Sequence, residues 1–523
     1  MKTVQKWIFI IHRYLGFGLS LLFVVWFLSG FVMMYASYPT MKQHQRLQQL
    51  PTLNLSQYRI LPSEAVQRAG ITDTVKTIRL GMLLNRPIYR IVTQQNKHRA
   101  VFADTGDLLP RVDTALGSRI ARAFVNNTSQ PQSVETLTQI DQWMAAHRSQ
   151  GYLPEVHRFV MNDPAQTYVY VSVYTGEVVQ MVNRQQRFWA WLGAIPHWIY
   201  PTILIRNRPV WSQVVIWASL AGTIMCVAGI VMGFVRYKRS QANAWAFSPY
   251  RKKWFRWHHY TGFVFGIFVF TWVLSGLFSM SPIDLRPDTK QRLAELMAWS
   301  GGPLNPAGFT VLPGRADTLL RSQLALKEIQ LIQILGKPYY LVYQDDFHTR
   351  VLAADNQQAQ PFAQFPTEPF IATLKTFNGD SRIQETKILM EYDDYYYSRT
   401  HEKRLPVLRV KVDTPEQSWY YVDLKTGQLI LKHEKGSRFE RWLYHGLHSL
   451  DFSFLIYNRP LWDIIVWTLM LGGTLVSVTG LVLTGKWLRR KGRKLGKKSS
   501  RRNGFVTKRR SVTSQPLNSH AQR

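Results

Sequence analysis

Ile11–Gly30, IHRYLGFGLSLLFVVWFLSG, organises the whole chain, because it returns 246 residues later as Trp257–Gly276, WHHYTGFVFGIFVFTWVLSG. At that offset His12 meets His258, Tyr14 meets Tyr260, Gly16 meets Gly262, Trp26 meets Trp272, and Ser29-Gly30 meets Ser275-Gly276. Each run is apolar and long enough for a helix to cross a bilayer. A second offset, 251, aligns what comes later: Arg187-Phe188 with Arg438-Phe439, His197 with His448, Asn207-Arg208-Pro209 with Asn458-Arg459-Pro460, and Gly222 and Gly229 with Gly473 and Gly480. Repetition at a fixed spacing is the signature of duplicated architecture.

Four apolar runs follow, near residues 14–35, 210–235, 260–280 and 461–488. Pro209 and Pro460 stand before the second and fourth, where a missing N–H costs a helix nothing. Lys and Arg crowd three places beside these runs: the N-terminus, residues 236–256, and the tail after Lys486. Cytoplasmic loops carry that excess, so both termini are expected inside. The expected order is an N-terminus and first span (1–36), an outer domain (37–186), an interfacial segment and second span (187–235), a basic inner loop (236–257), a third span (258–280), a second outer domain (281–437), an interfacial segment and fourth span (438–488), and a disordered basic tail (489–523). The fold class is membrane α-helical, four transmembrane helices as two parallel tandem repeats of helix, outer domain and helix.

The outer stretches repeat as well. Gln166–Val179, QTYVYVSVYTGEVV, and Gln417–Ile430, QSWYYVDLKTGQLI, alternate as strands and turn at Thr-Gly. Arg86–Val92, RPIYRIV, and Lys337–Tyr343, KPYYLVY, are strand-like, each after a helix-like segment. Each outer domain reads as α+β with antiparallel strands. The net charge of +33 would suit nucleic acid by magnitude, but its confinement beside apolar runs fits topology and anionic lipid instead. A single cysteine, Cys226, excludes an intrachain disulfide framework. Gly-rich phosphate loops, HExxH and Ser/His/Asp signatures are missing from the sequence.

Histidine near a bilayer is costly without a partner and so marks function. His12 and His258 start the first and third spans; His197 and His448 precede the second and fourth. Because alternate spans run in opposite directions, these are two pairs at two depths. Bis-histidine ligation of two b-type haems needs such pairs from different helices. Gly16 and Gly262, one turn on, remove bulk where a porphyrin face would lie, and Arg208 and Arg459 could hold propionates. His259 and His445 compete with their neighbours, repeat symmetry favouring His258 and His448. The same residues read blandly as interfacial anchors. The remaining histidines, such as His98, His147, His157, His348, His401 and His433, read as surface residues, and Glu391–Lys403, EYDDYYYSRTHEK, as a ligand surface or a polar sheet edge.

The two quoted first-helix motifs, together with LYHGLHSLDFSFLIYNRPLW (Leu443–Trp462), VTGLVLTG (Val478–Gly485) and the closing strands QSWYYVDLKTGQLI, resemble the PepSY-associated transmembrane family over nearly the whole chain. That resemblance implies a bacterial inner membrane and an iron-uptake setting. Some members are similar to two-haem ferric-siderophore reductases, which makes His12, His197, His258 and His448 the implied axial ligands. The expected function is haem-based electron transfer to a periplasmic acceptor, probed best as ferric iron in a siderophore, with a quinol or cytoplasmic reductase as donor. The alternative is a haem-free regulatory or scaffold protein whose PepSY-like domains bind a peptide, a peptidase or an envelope partner.

Overall fold

The computed structural model describes residues 2–127, 129–145, 155–240, 248–282, 289–379 and 381–510. They form two compact units. One comprises Met1–Phe31, Ile216–Leu277 and Asp463–Arg523; the other comprises Val32–Val215 and Phe278–Trp462.

The first unit is helical. Four long helices, Lys2–Met33, Arg208–Ser240, Lys253–Ser279 and Leu461–Arg510, supply it. All four are long and apolar enough to cross a membrane. They extend past the expected apolar runs at their basic ends. The fourth continues to Arg510, whereas disorder was expected from residue 489; Lys and Arg are good helix formers and suit a helix C-terminus. The tail beyond Arg510 lies outside the described residues. Glycine brings the helices close. A Cβ on Gly222 would stand 3.0 Å from the Phe23 ring and from Val273, and one on Gly473 would strike Phe27. Such small-residue contacts replace the hydrophobic drive that lipid removes.

The second unit is built on three antiparallel sheets. Its strands are β1 (Val75–Leu83), β2 (Arg86–Thr93), β3 (His98–Phe102), β4 (Pro131–Leu137), β5 (Val156–Met161), β6 (Tyr168–Ser172), β7 (Val178–Val182), β8 (Glu328–Ile334), β9 (Lys337–Tyr343), β10 (Thr349–Ala353), β11 (Ile383–Leu389), β12 (Val407–Val412), β13 (Trp419–Asp423) and β14 (Leu429–His433). β4–β7 and β11–β14 make two four-stranded sheets, each in chain order. The third sheet has six strands in the order β10-β9-β8-β1-β2-β3.

That sheet joins the two outer stretches. β1 pairs with β8, with Ile78 opposite Leu331, Arg79 opposite Gln330 and Leu80 opposite Ile329. Arg79 and Gln330 are themselves 251 residues apart, so equivalent strands meet head to tail about their own equivalent residues. The physical reason is edge removal: β1 and β8 would each be an open edge if the halves stood apart. The faces alternate strictly. Ile78, Leu80, Ile329 and Leu331 share one core with the helical segments Pro62–Arg68 and Gly314–Leu320. Ile88 and Ala100 face the core over β5 and β6, and Ile332 and Ile334 the core over β12 and β13.

A buried charge cluster fastens this seam. Arg46 pairs with Glu328 at 2.7 Å and Glu177 at 3.4 Å, and Arg79 pairs with Glu177 at 2.7 Å. Burial pushes the Glu177 carboxyl up, but Arg79, Arg46 and Arg90 outweigh it and hold it at about 2. Glu328 is held below its usual range by Arg46 and Arg79, again against burial. Two histidines expected at the surface are core residues. His98 and His157 are buried, and His157 bonds the Thr136 hydroxyl at 2.9 Å and donates to the Val112 carbonyl at 2.8 Å. His433 is half-buried, and desolvation lowers its pKa to about 4. His147 lies outside the described residues.

Candidate functional site

In the helical unit His12, on the first long helix, faces His258, on the third. Their ring centres are 6.2 Å apart and the planes tilt by 32°. His12 Nδ1 donates to the Met225 carbonyl at 3.0 Å. His258 Nδ1 lies 3.0 Å from the Thr479 hydroxyl oxygen. That hydroxyl already donates to the Leu475 carbonyl at 2.8 Å, so it accepts from His258. Both rings are thereby set as Nδ1–H tautomers, and the lone pair of each sits on Nε2. An anchored Nδ1–H is the usual support of a metal-binding imidazole.

Each ring leans on a glycine of the next long helix. A Cβ on Gly229 would come within 2.7 Å of His12 Cε1, and one on Gly480 within 3.4 Å of His258 Cε1. Both histidines line a cavity of ≈ 380 Å³, within the range of small-molecule sites. Gly16 and Gly262 line it too. A Cβ on Gly262 would meet nothing within 4 Å, and one on Gly16 only the Met225 sulfur at 3.9 Å. The bulk missing from these positions is open space.

In the sheet unit His197 faces His448 at 6.0 Å between ring centres, with planes at 73°. His197 ends a short helix, Ala194–His197. His448 lies in Leu447–Ser449, directly after a π-helical stretch, Trp442–Gly446. One tie is common to both. The Trp211 indole donates to the carbonyl of Trp198, next to His197, at 3.0 Å; the Trp462 indole donates to the carbonyl of Ser449, next to His448, at 3.1 Å. Each half also holds a carboxylate in the loop after β4 or β11. Asp141 accepts from Arg158 and Tyr170, and Asp393 accepts from Arg409 and Tyr421, their counterparts 251 residues on.

Glu391–Lys403 lies after β11 and is not itself a strand. It packs on the segment that carries His448: Tyr397 donates to Asp451 at 2.8 Å, Arg399 pairs with Asp451, and Tyr396 is buried. Of the close histidine pairs, His258 and His448 face the partner histidines. His259 Nε2 lies 3.2 Å from the Gly233 carbonyl, which accepts its proton. His445 stands beside Tyr444 and Tyr397, its ring centre 4.6 Å from that of Tyr444. Burial lowers its pKa despite Asp451 nearby. Arg208 is exposed at the start of its helix. Arg459 is exposed, with its guanidinium over the Trp462 ring at 4.6 Å. Sequence reasoning missed the supports: Gly229, Gly480, Thr479 and the two indoles. Four of these five are matched in the repeat, and Thr479 adjoins a match.

The donor set can be tested against a metal in a flat macrocycle. Imidazole nitrogen binds such a metal at about 2.0–2.1 Å and lies about 1.1 Å from its ring centre, so opposed ligands have centres about 6.3 Å apart. The two observed separations, 6.2 and 6.0 Å, come within a few tenths of that. Among the described residues no group of three or more His, Cys, Asp or Glu could hold a bare metal ion. The residues present therefore fit a haem, which brings its own four nitrogens.

Four apolar helices joined to an α+β sheet unit define a membrane protein with a large folded part between its spans. Residues 9–308, more than half of the chain, match the PepSY-associated TM region, and the chain belongs to that family. No curated protein matches it.

Proposed function

We propose that this membrane protein binds two b-type haems, one between His12 and His258 and one between His197 and His448, and delivers electrons to ferric iron held by a chelator such as a siderophore. The observation that carries this reading is the facing of both repeat-related histidine pairs at 6.2 and 6.0 Å. Haem at each pair supplies a one-electron carrier. The chain's own contribution is to hold the imidazoles: Met225 and Thr479 fix the inner tautomers, Trp211 and Trp462 pin the backbone beside the outer pair. Arg208 and Arg459 are the proposed carboxylate partners of the outer haem.

The proposed placement is the bacterial inner membrane, with both termini cytoplasmic and the sheet unit periplasmic. The basic ends of all four helices support it. A quinol or a cytoplasmic reductase is the proposed donor. Ferric iron binds hard oxygen ligands tightly, and its reduction loosens that grip, which gives the electron a use in iron uptake.

The test is an absorption spectrum of the full chain purified in detergent from haem-replete cells, oxidised and dithionite-reduced, with haem counted per chain. Two low-spin haems per chain are expected, falling to one in His197→Ala and in His448→Ala with the chain still folded. A folded, colourless wild type overturns the proposal and leaves partner binding by the sheet unit as the working idea.

A further inference from the structure

The cavity lined by His12 and His258 is mostly apolar, with Ser20, Ser477 and Thr484 and three cations among its wall residues. Arg13, from the first long helix, and Lys486 and Arg490, from the fourth, all line it, and no Asp or Glu does. The two helices are neighbours there, with Phe17 stacked on Trp487 at 4.2 Å. None of the three cations forms an ion pair among the described residues. Lys486 rests over the Trp254 ring at 5.2 Å. Arg13 is the telling one. Its guanidinium lies over Tyr14 at 4.7 Å and Phe9 at 5.4 Å, and its Nε is buried without a hydrogen-bond partner. A buried guanidinium N–H left unbonded is costly and calls for a partner, of which a ligand in the adjoining cavity is one.

The repeat sharpens the point. At the 246 offset Arg13 corresponds to His259, and at the 251 offset Lys486 corresponds to Val235. His259 spends its Nε2 proton on the Gly233 carbonyl. Arg13 and Lys486 are therefore not imposed by the duplicated framework, whereas Arg490 matches Arg239 at the 251 offset.

We infer that Arg13, with Lys486 and Arg490, is the carboxylate-anchoring edge of this cavity, so that its ligand is a flat apolar body carrying acid groups on one side. The inference rests on the haem reading, and it assigns the propionates of the inner haem to these three cations. Guanidinium suits a carboxylate because two N–H groups can bond its two oxygens in parallel. The same anion chemistry could come from a lipid phosphate, and the experiment separates the two.

The full chain is purified in detergent, stripped of haem and titrated with haem and with haem dimethyl ester, whose acid groups are masked. The wild type should bind haem roughly 10- to 100-fold more tightly than the ester at the inner site, the equivalent of losing one charge-assisted bond. Arg13→Gln should erase that preference without changing ester affinity, and Arg13→Lys should restore part of it. The midpoint potential of the inner haem should fall in Arg13→Gln, because removing a nearby positive charge favours the ferric state. Equal wild-type affinity for haem and ester overturns the inference, as does an Arg13→Gln protein that keeps the preference. Loss of bound phospholipid phosphate in Arg13→Gln, with haem and ester still bound alike in wild type, assigns the edge to lipid instead. A wild type that binds neither compound sinks the haem reading itself.

Discussion

Gly229→Ala is the sharpest perturbation of the inner histidine pair, because its repeat-related twin is a built-in control. A Cβ at Gly229 falls 2.7 Å from His12 Cε1 and 3.0 Å from Nδ1. Carbon atoms in ordinary contact sit about 3.5–4.0 Å apart, so the ring has to retreat by about 1 Å. A retreat of that size breaks the 3.0 Å bond to the Met225 carbonyl. It also moves the ring off the 6.2 Å separation, close to the roughly 6.3 Å that two axial ligands span. Overpacking of this kind costs about 1–3 kcal/mol. At Gly480 the new Cβ would lie 3.4 Å from His258 Cε1, an ordinary contact. There the helix gains about 1 kcal/mol from alanine's propensity. Haem content, the low-spin spectrum and thermal unfolding of the two purified variants make the assay. Gly229→Ala should lose the low-spin signature of one haem and melt earlier. Gly480→Ala should keep both haems and melt no earlier than the wild type. If the two variants behave alike, or if Gly229→Ala matches the wild type, the placement of His12 against Gly229 as a ligand support is wrong.

Trp211→Phe and Trp462→Phe each remove an indole donor beside an outer histidine, worth about 1 kcal/mol, and should speed haem loss to excess apomyoglobin from the outer site alone; unchanged release refutes the tie. Arg46→Met leaves Glu328 and Glu177 buried with one cation fewer, and should lower sheet-unit stability in denaturant titrations by about 3 kcal/mol or more, with Arg46→Met/Glu328→Leu recovering much of it; equal loss in both would show that the ion pair is not the cause. The Glu177 and Glu328 carboxyls are held down on folding, so their stabilisation is complete above the unfolded value of about 4.3 and is lost as pH falls below it, for Glu177 toward about 2. Far-ultraviolet circular dichroism should show the β signal melting progressively earlier from about pH 5 down to pH 2 and unchanged between pH 6 and 7; a melting point flat down to pH 3 would refute that assignment.

Much of this architecture is legible in the residues, for reasons that can be stated one at a time. Apolar length and basic flanks place the four long helices without any tertiary information. The Thr-Gly turns fall where written, since Gly176 and Gly427 take φ of +61° and +69°, a conformation glycine adopts at no cost. Arg86–Val92 and Lys337–Tyr343 are strands β2 and β9 as their β-branched and aromatic content suggests. The pairing of β1 with β8 is not legible, because alternation tells which face of a strand is buried and says nothing of which edge is paired. His98 and His157 mislead for a related reason: a polar ring in a strand looks solvent-facing unless its hydrogen-bond partners are known. Offsets of 246 and 251 bring out the histidines, and even choose His258 over His259. They cannot show that Gly229 and Gly480 serve those rings, since that depends on which helix faces which. Arg13 reads as one more cation near a membrane face until the cavity beside it is seen.

The seam between β1 and β8 also sets a clock. β1 begins at Val75 and β8 at Glu328, so about 250 residues, two long helices among them, are made between the two partners. At roughly 5–20 residues per second that is an interval on the order of 12 to 50 s. For all of it the newly made β1 has one row of backbone N–H and C=O groups with no strand beside it, which is the template on which chains aggregate. Lys76 and Arg79 sit on that edge strand, and such charges deter the wrong neighbour while the right one is still being translated.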